Sequence, residues 1–229
     1  MTDDNKKAVT PGIGAEGCKL PSPSRVNTMP VPLQVLVVFG ISVMLYFGTS
    51  VLSNLLDSGT NRYKWFQYWR YTWPLMGLLY AFVGVTHFTK KEDTCNIYPS
   101  RGTWGFWYLP GGAKLHVYWT GVVEIVFGLG LVVGGMIEFF SVSNDDDGSY
   151  KPPPPFISSA GLRSDCAAIL FVMTIAVTPA NIYMYTHGAR MPLSNPSYPL
   201  QIHIIRGLVQ IMFLAFLYQM SSATFQALL

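Results

Sequence analysis

The chain has 229 residues and a formal net charge of +3; half of its residues are hydrophobic and only 12% are charged. That composition is too apolar for a soluble domain, and the length is too short for several domains. Lys and Arg are scattered between the apolar runs and form no basic face interleaved with aromatics, which argues against nucleic acid as a partner.

Residues 1–30 carry Pro11, Pro21, Pro23 and Pro30 and lack the apolar run of a secretory signal, while Asp3, Asp4 and Glu16 depart from a transit peptide. They are expected to form an extended tail. A hydrocarbon core about 30 Å thick needs roughly 20 mostly apolar residues in a helix. Five stretches qualify, at 31–56, 73–89, 115–139, 167–186 and 200–217, with the last able to run on to the C-terminus. The expected fold class is therefore an all-α membrane helical bundle with five spans. Trp65, Trp69, Trp73, Trp104, Trp107 and Trp119 fall near the proposed span ends, as an aromatic belt would place them. Between spans, the Gly- and Trp-rich stretch at 98–114 reads as an interfacial loop. The NDDDGSYKPPPP stretch at 144–155 reads as extended and water-exposed. Counting Lys and Arg on each side gives nine against five, which puts the N-terminus inside. Cys18, Cys95 and Cys166 are far apart and form no C-x-x-C pair, so they read as unpaired thiols.

This topology brings His87, His116, His187 and His203 toward one face of the membrane. Deeper polar residues recur at helical spacing: His116, Thr120 and Glu124 on the third span, and His203, Arg206 and Gln210 on the fifth. Thr174, Thr178, Asn181 and Tyr185 mark one side of the fourth, and Tyr80, Gly84 and His87 one side of the second. An ionisable side chain in hydrocarbon normally turns inward and finds a partner. Glu124 is expected to pair with Arg206, with Asn181 as a third member that donates to the carboxylate and accepts from the guanidinium. Pro179 is expected to kink the fourth span and turn Asn181 inward. Glu138 and Asp165 sit at span ends and read as solvated carboxylates. No haem or metal site is expected, because haem would need two histidines at matched depth on facing helices; a quinone or a bound lipid is the class the polar cluster could hold.

The order AFVGVTHF, a Pro/Gly-rich loop, KLHVYWTGVVEIVFGLGL, TPANIYM and RGLVQ resembles the DoxX family of small four-helix membrane proteins. The resemblance covers roughly residues 73 to 220, and the family's motif positions fall on His87, Phe88, Gly121, Glu124, Pro179, Ala180, Asn181, Arg206 and Gln210. It implies a tail at 1–30, an additional helix at 31–56 and a DoxX-like four-helix domain at 73–229. One departure is Leu208, where the family commonly has a proline. Proteins that look like this include subunits linked to quinone reduction and assembly factors for membrane partners, so a shared fold leaves function open. The expected function is a non-catalytic accessory subunit or assembly factor of a larger membrane complex, of electron-transport type, whose partners are other membrane subunits and lipid. That type of complex would place it in the mitochondrial inner membrane. The alternative is a quinone-linked membrane oxidoreductase subunit with the headgroup among Glu124, Asn181, His203 and Arg206.

Overall fold

The computed structural model describes residues 24–143, 161–189 and 199–229. The tail before residue 24, the acidic and proline-rich stretch at 144–155, Cys18 and Arg190 lie outside the described residues. Every regular element among the described residues is helical: α1 (Val31–Arg62), a 3-10 helix (Lys64–Thr72), α2 (Trp73–Thr89), α3 (Lys91–Asn96), α4 (Ala113–Ser143), α5 (Leu162–Ala176), α6 (Thr178–His187), α7 (Leu200–Met220) and α8 (Ser222–Leu228). Among the described residues four helices are long and apolar enough to cross a membrane: Val31–Arg62, Ala113–Phe140, Leu162–His187, which runs through the break between α5 and α6, and Leu200–Met220. This is the construction of an integral membrane protein. The fifth expected span, α2, has 17 residues and is not among these four.

Prolines and glycines set the boundaries as their backbone chemistry requires. Pro32 and Pro74 sit in the first turns of α1 and α2, where the missing N–H has no intrahelical acceptor to serve. α1 continues beyond the span end expected at residue 56, through the polar residues at 57–62. The ring of Phe66 folds back onto Gly59, where a Cβ would lie 2.5 Å from the ring, so the helix end is packed. The fourth span breaks where expected: Val177 closes α5, and Pro179 lies in the first turn of α6. The last helix does not run on unbroken. Ser221 separates α7 from α8, and α8 returns onto the start of α5 through the Thr224 hydroxyl, which lies 2.7 Å from Ser164 Oγ and 2.9 Å from Asp165 Oδ1. Asp165, read from sequence as solvated, is in fact 1% exposed.

One expectation for the loops is also corrected. Residues 24–30 are not extended: Val26–Thr28 form a 3-10 turn, Val26 is buried, and the Ser24 hydroxyl donates to the carbonyl of Tyr185 at 2.7 Å. The 98–114 loop is anchored in the bundle by one side chain. Trp104 is 2% exposed, adopts φ 54°, and donates its indole N–H to Thr186 Oγ1 at 3.1 Å. A non-glycine residue in the left-handed region persists where its surroundings hold it, and here Tyr183, His187 and Trp107 surround the ring edge-on.

The tightest packing joins α2 and α4, which run antiparallel. A Cβ added to Gly128 would lie 2.7 Å from the carbonyl oxygen of Gly77, and one added to Gly84 would lie 2.7 Å from that of Gly121. Small residues let helix backbones approach this closely. Two turns beyond Gly128 on α4, Gly135 receives the ring of Trp73. Another face of α4 takes α5: Gly130 lies against Cys166 Sγ and Gly134 against the backbone of Arg163. Trp73, Met76, Tyr80, Leu131, Leu170, Met173 and Leu217 fill the space between. α1 stands at the edge, against α7. Ile211 packs on Gly48, and the Gln219 amide donates to Ser53 O at 3.0 Å and to Ser53 Oγ at 2.8 Å.

A glycine-to-alanine pair tests this packing. Gly128→Ala should destabilise by about 1–3 kcal/mol, the range for overpacking. Gly207→Ala, where nothing lies within 4 Å of the new Cβ, should be neutral or stabilising by about 0.4–1 kcal/mol. Unfolding from mild detergent with a denaturing detergent measures both.

Candidate functional site

The polar residues expected to form one intramembrane cluster form two. The first lies in the α2–α4 seam. Thr120 and Glu124 share a face of α4, and close helix approach brings His87 of α2 against them. His87 Nε2 is 3.4 Å from Glu124 Oε2, and His87 Nδ1 is 3.0 Å from the carbonyl oxygen of Val117 and 3.1 Å from Thr120 Oγ1. A carbonyl can only accept, so the proton on this ring sits at Nδ1, and Nε2 faces the carboxylate. The pair is then either imidazolium with carboxylate or neutral imidazole with carboxylic acid. Glu124 is 5% exposed, and its Oε2, though within ion-pair distance, makes no aligned hydrogen bond.

This corrects the expected Glu124–Arg206 pair: among the described residues the titratable partner within ion-pair distance of Glu124 is His87. Equal depth on two helices does not make them neighbours, and α4 faces α2 at this level.

The second cluster joins α6 and α7. Arg206 donates from Nη2 to Asn181 Oδ1 at 2.8 Å and from Nη1 to Met184 Sδ at 3.4 Å. Asn181 Nδ2 donates to Gln210 Oε1 at 3.1 Å, and Gln210 Nε2 donates to Thr178 Oγ1 at 2.7 Å. The Thr178 hydroxyl passes to the carbonyl of Thr174 at 2.9 Å, across the break at Val177. Because the Thr174 hydroxyl is committed to Leu170 O at 2.7 Å, the Tyr80 hydroxyl, 2.6 Å away, is the donor to it. Side chains from α2, α5, α6 and α7 are thus linked through neutral groups from Tyr80 to the Arg206 guanidinium. Asn181 does accept from the guanidinium as expected, but its N–H goes to Gln210 and not to a carboxylate.

The remaining histidines have separate roles. His116 Nε2 meets Pro110 O at 2.8 Å, its ring stacks on Tyr98 at 4.6 Å, and it holds the loop before α4. His203 lies edge-on to Tyr185 with centroids 5.6 Å apart, and His187 stacks on Tyr183 at 4.6 Å. At the opposite end of the bundle Arg163 forms a two-point ion pair with Glu138, Nε to Oε2 at 2.7 Å and Nη2 to Oε1 at 2.9 Å. The sequence pattern gave no sign of that pair, because its partners lie on either side of the long 144–160 stretch. Cys95 and Cys166 are free thiols. Burial raises the pKa of Cys95 above its ordinary value, while Lys114 and Lys91 act the other way. Among the described residues no group of three His, Cys, Asp or Glu side chains is placed to hold a metal ion.

Two clefts lie on either side of α1. The smaller, about 310 Å³, is bounded by α1, α6 and α7 and is lined on its polar wall by Asn181, Tyr185, His203, Arg206 and Gln210. Glu124, expected in the same pocket, does not line it. The larger, about 780 Å³, lies between α1 and α5–α6. The chain matches no known family model, no curated protein and no solved structure.

A double-mutant cycle separates the two clusters. His87→Ala and Glu124→Ala should couple by about 0.5–3 kcal/mol, as residues in contact do, whereas Arg206→Ala and Glu124→Ala should add to within about 0.5 kcal/mol. Unfolding free energies of the single and double variants are the measurement.

Proposed function

We propose that this chain is a non-catalytic accessory subunit or assembly factor of a larger membrane complex, of electron-transport type, and that it crosses the membrane five times. In this reading α2, α4, α5–α6 and α7 are a DoxX-like four-helix unit, α2 is its shortest span, and α1 is an added helix that presents the unit to its partners. The mitochondrial inner membrane is the location that fits such a complex.

The observation that carries the reading is the state of α1. Its most apolar 18-residue window is only 6% buried, against 44% for the span formed by α5 and α6. A helix that contributes so little to its own bundle is available to others. Gly40 on α1 and Gly207 on α7 support the same use, since each has nothing within 4 Å of a built Cβ and leaves room for a neighbouring helix to approach.

The test is purification of the full chain from its native membrane in mild detergent. Wild type should co-migrate with other subunits in fixed proportion. Gly40→Leu should lose them by at least tenfold while keeping its own resistance to unfolding. A wild-type chain that migrates alone would overturn the reading.

A second reading, a quinone-linked oxidoreductase subunit, is favoured by the smaller cleft. Amide and guanidinium donors from Asn181, Gln210 and Arg206 on one wall face apolar residues such as Ile41 and Met44 of α1 on the other, the lining a quinone headgroup requires. Under this reading Gln210→Leu should weaken binding of a short-chain quinone, followed by equilibrium dialysis, by about tenfold, the effect of losing roughly 1.4 kcal/mol.

A further inference from the structure

The segment that joins α1 to α2 is the 3-10 helix Lys64–Thr72, nine residues long, none of them buried. Three residues make one 3-10 turn, so side chains three apart stand one above another and the segment carries three rows of side chains. The rows differ in kind. Phe66, Trp69 and Thr72 form a half-buried row that holds the segment to the bundle. Phe66 closes on Gly59, and Trp69 donates its indole N–H to Thr60 Oγ1 at 2.9 Å while its ring lies 5.5 Å from that of Phe216. Trp65, Tyr68 and Tyr71 form a second row and are 66%, 67% and 55% exposed. Lys64, Gln67 and Arg70 form the third, also exposed.

The level of this segment in the membrane follows from α1. The apolar run of α1 ends at Leu56, and Gly59 and Thr60, against which the half-buried row packs, lie three and four residues further on. At 1.5 Å per residue that is roughly 4.5–6 Å beyond the hydrocarbon, within the roughly 5–7 Å that headgroups occupy on each side of the core. Trp and Tyr rings belong at that level, with an apolar body and a polar edge. The charge needs its own account. No acidic residue occurs from Ser58 to Lys91, while Arg62, Lys64 and Arg70 fall within nine residues of one another. At this end of the bundle Glu138 is taken up by Arg163 and Asp165 is buried against Thr224, and neither Lys64 nor Arg70 has a carboxylate partner among the described residues.

We propose that this segment is a binding surface for anionic phospholipid. Trp65, Tyr68 and Tyr71 seat in the headgroup layer, and Lys64 and Arg70 on the adjacent row hold lipid phosphates, with Arg62 beside them. A guanidinium meets phosphate oxygens through two parallel N–H bonds, and an ammonium meets them as a point charge. A zwitterionic headgroup carries its own cation beside the phosphate, so a net anionic headgroup gains most from a basic row. The surface lies within a single chain and goes beyond the accessory-subunit reading, on which it does not depend.

The test uses the full chain in vesicles of mixed phosphatidylcholine and phosphatidylglycerol, with the same mixture in both leaflets so that the orientation of the chain does not matter. A trace of one lipid or the other carries a photoreactive diazirine beside its glycerol backbone, and adducts on residues 62–72 are mapped by peptide mass spectrometry. Each cation near an anionic surface supplies a factor of about five. Per mole of probe, phosphatidylglycerol adducts should therefore exceed phosphatidylcholine adducts by about tenfold or more. Lys64→Gln combined with Arg70→Gln should lower that ratio by about fivefold or more and leave resistance to denaturing detergent unchanged, since both side chains are exposed. Lys64→Arg should keep the ratio. Trp65→Ala combined with Tyr68→Ala should lower the adducts of both lipids together. Three results would overturn the proposal: a wild-type ratio near one, a ratio unchanged by the paired glutamine substitutions, or protection of residues 62–72 from both probes in the native membrane, as a covering polypeptide would give.

Discussion

At two levels of the bundle the backbones of α2 and α4 meet with no side chain between them, Gly77 against Gly128 and Gly84 against Gly121. Much of the rest follows from that approach. The glycines on each helix are seven residues apart, two turns, so both contacts fall on one face and fix the register of the antiparallel pair. With the register fixed, Trp73 covers Gly135, and His87 is delivered to Val117, Thr120 and Glu124. The opposite side of α4, through Gly130 and Gly134, then receives α5. Five glycines on one helix thus organise two neighbours on different faces, which a helix of larger residues could not do.

The same geometry decides how charge is accommodated. Glu124 lies beside the helix that carries His87, and an imidazole can match a buried carboxylate in either protonation state by moving a single proton. Arg206 has no such freedom, since a guanidinium stays protonated. Its described partners, Asn181 and Met184, are neutral, and Asn181 is in turn oriented by Gln210 and Thr178. A network whose amides each donate and accept holds four helices in one arrangement, and it spans the break at Val177, where the helical hydrogen-bond ladder is interrupted.

α1 obeys a different rule. It meets the bundle along α7, by the Gly48 contact and the Ser53–Gln219 hydrogen bonds, and at its ends through the 3-10 segments. Between those attachments Val38 and Ile41 pack against the cluster of Trp104, Ile182 and Tyr183, and clefts remain on both sides. The helix least needed for the internal core is therefore the one that shapes the surfaces open to lipid and to other proteins.

The sequence by itself determined the class and most of the elements. Apolar runs of membrane length located the helices, Pro179 marked the break before α6, and helical spacing put Thr120 beside Glu124 and Arg206 beside Gln210. These are properties of neighbours along one helix, so the chain's own periodicity reveals them. Only the tertiary structure decided which helix each polar face meets. It gave Glu124 to His87 and Arg206 to Asn181, buried Asp165 beneath α8, joined Arg163 to Glu138 across a long connection, and drew Trp104 into the end of the bundle. The physical reason is that a polar side chain on a membrane helix specifies only that it needs a partner. Which partner it receives depends on how closely the backbones can approach, and that was set by glycines that carry no polar signal of their own.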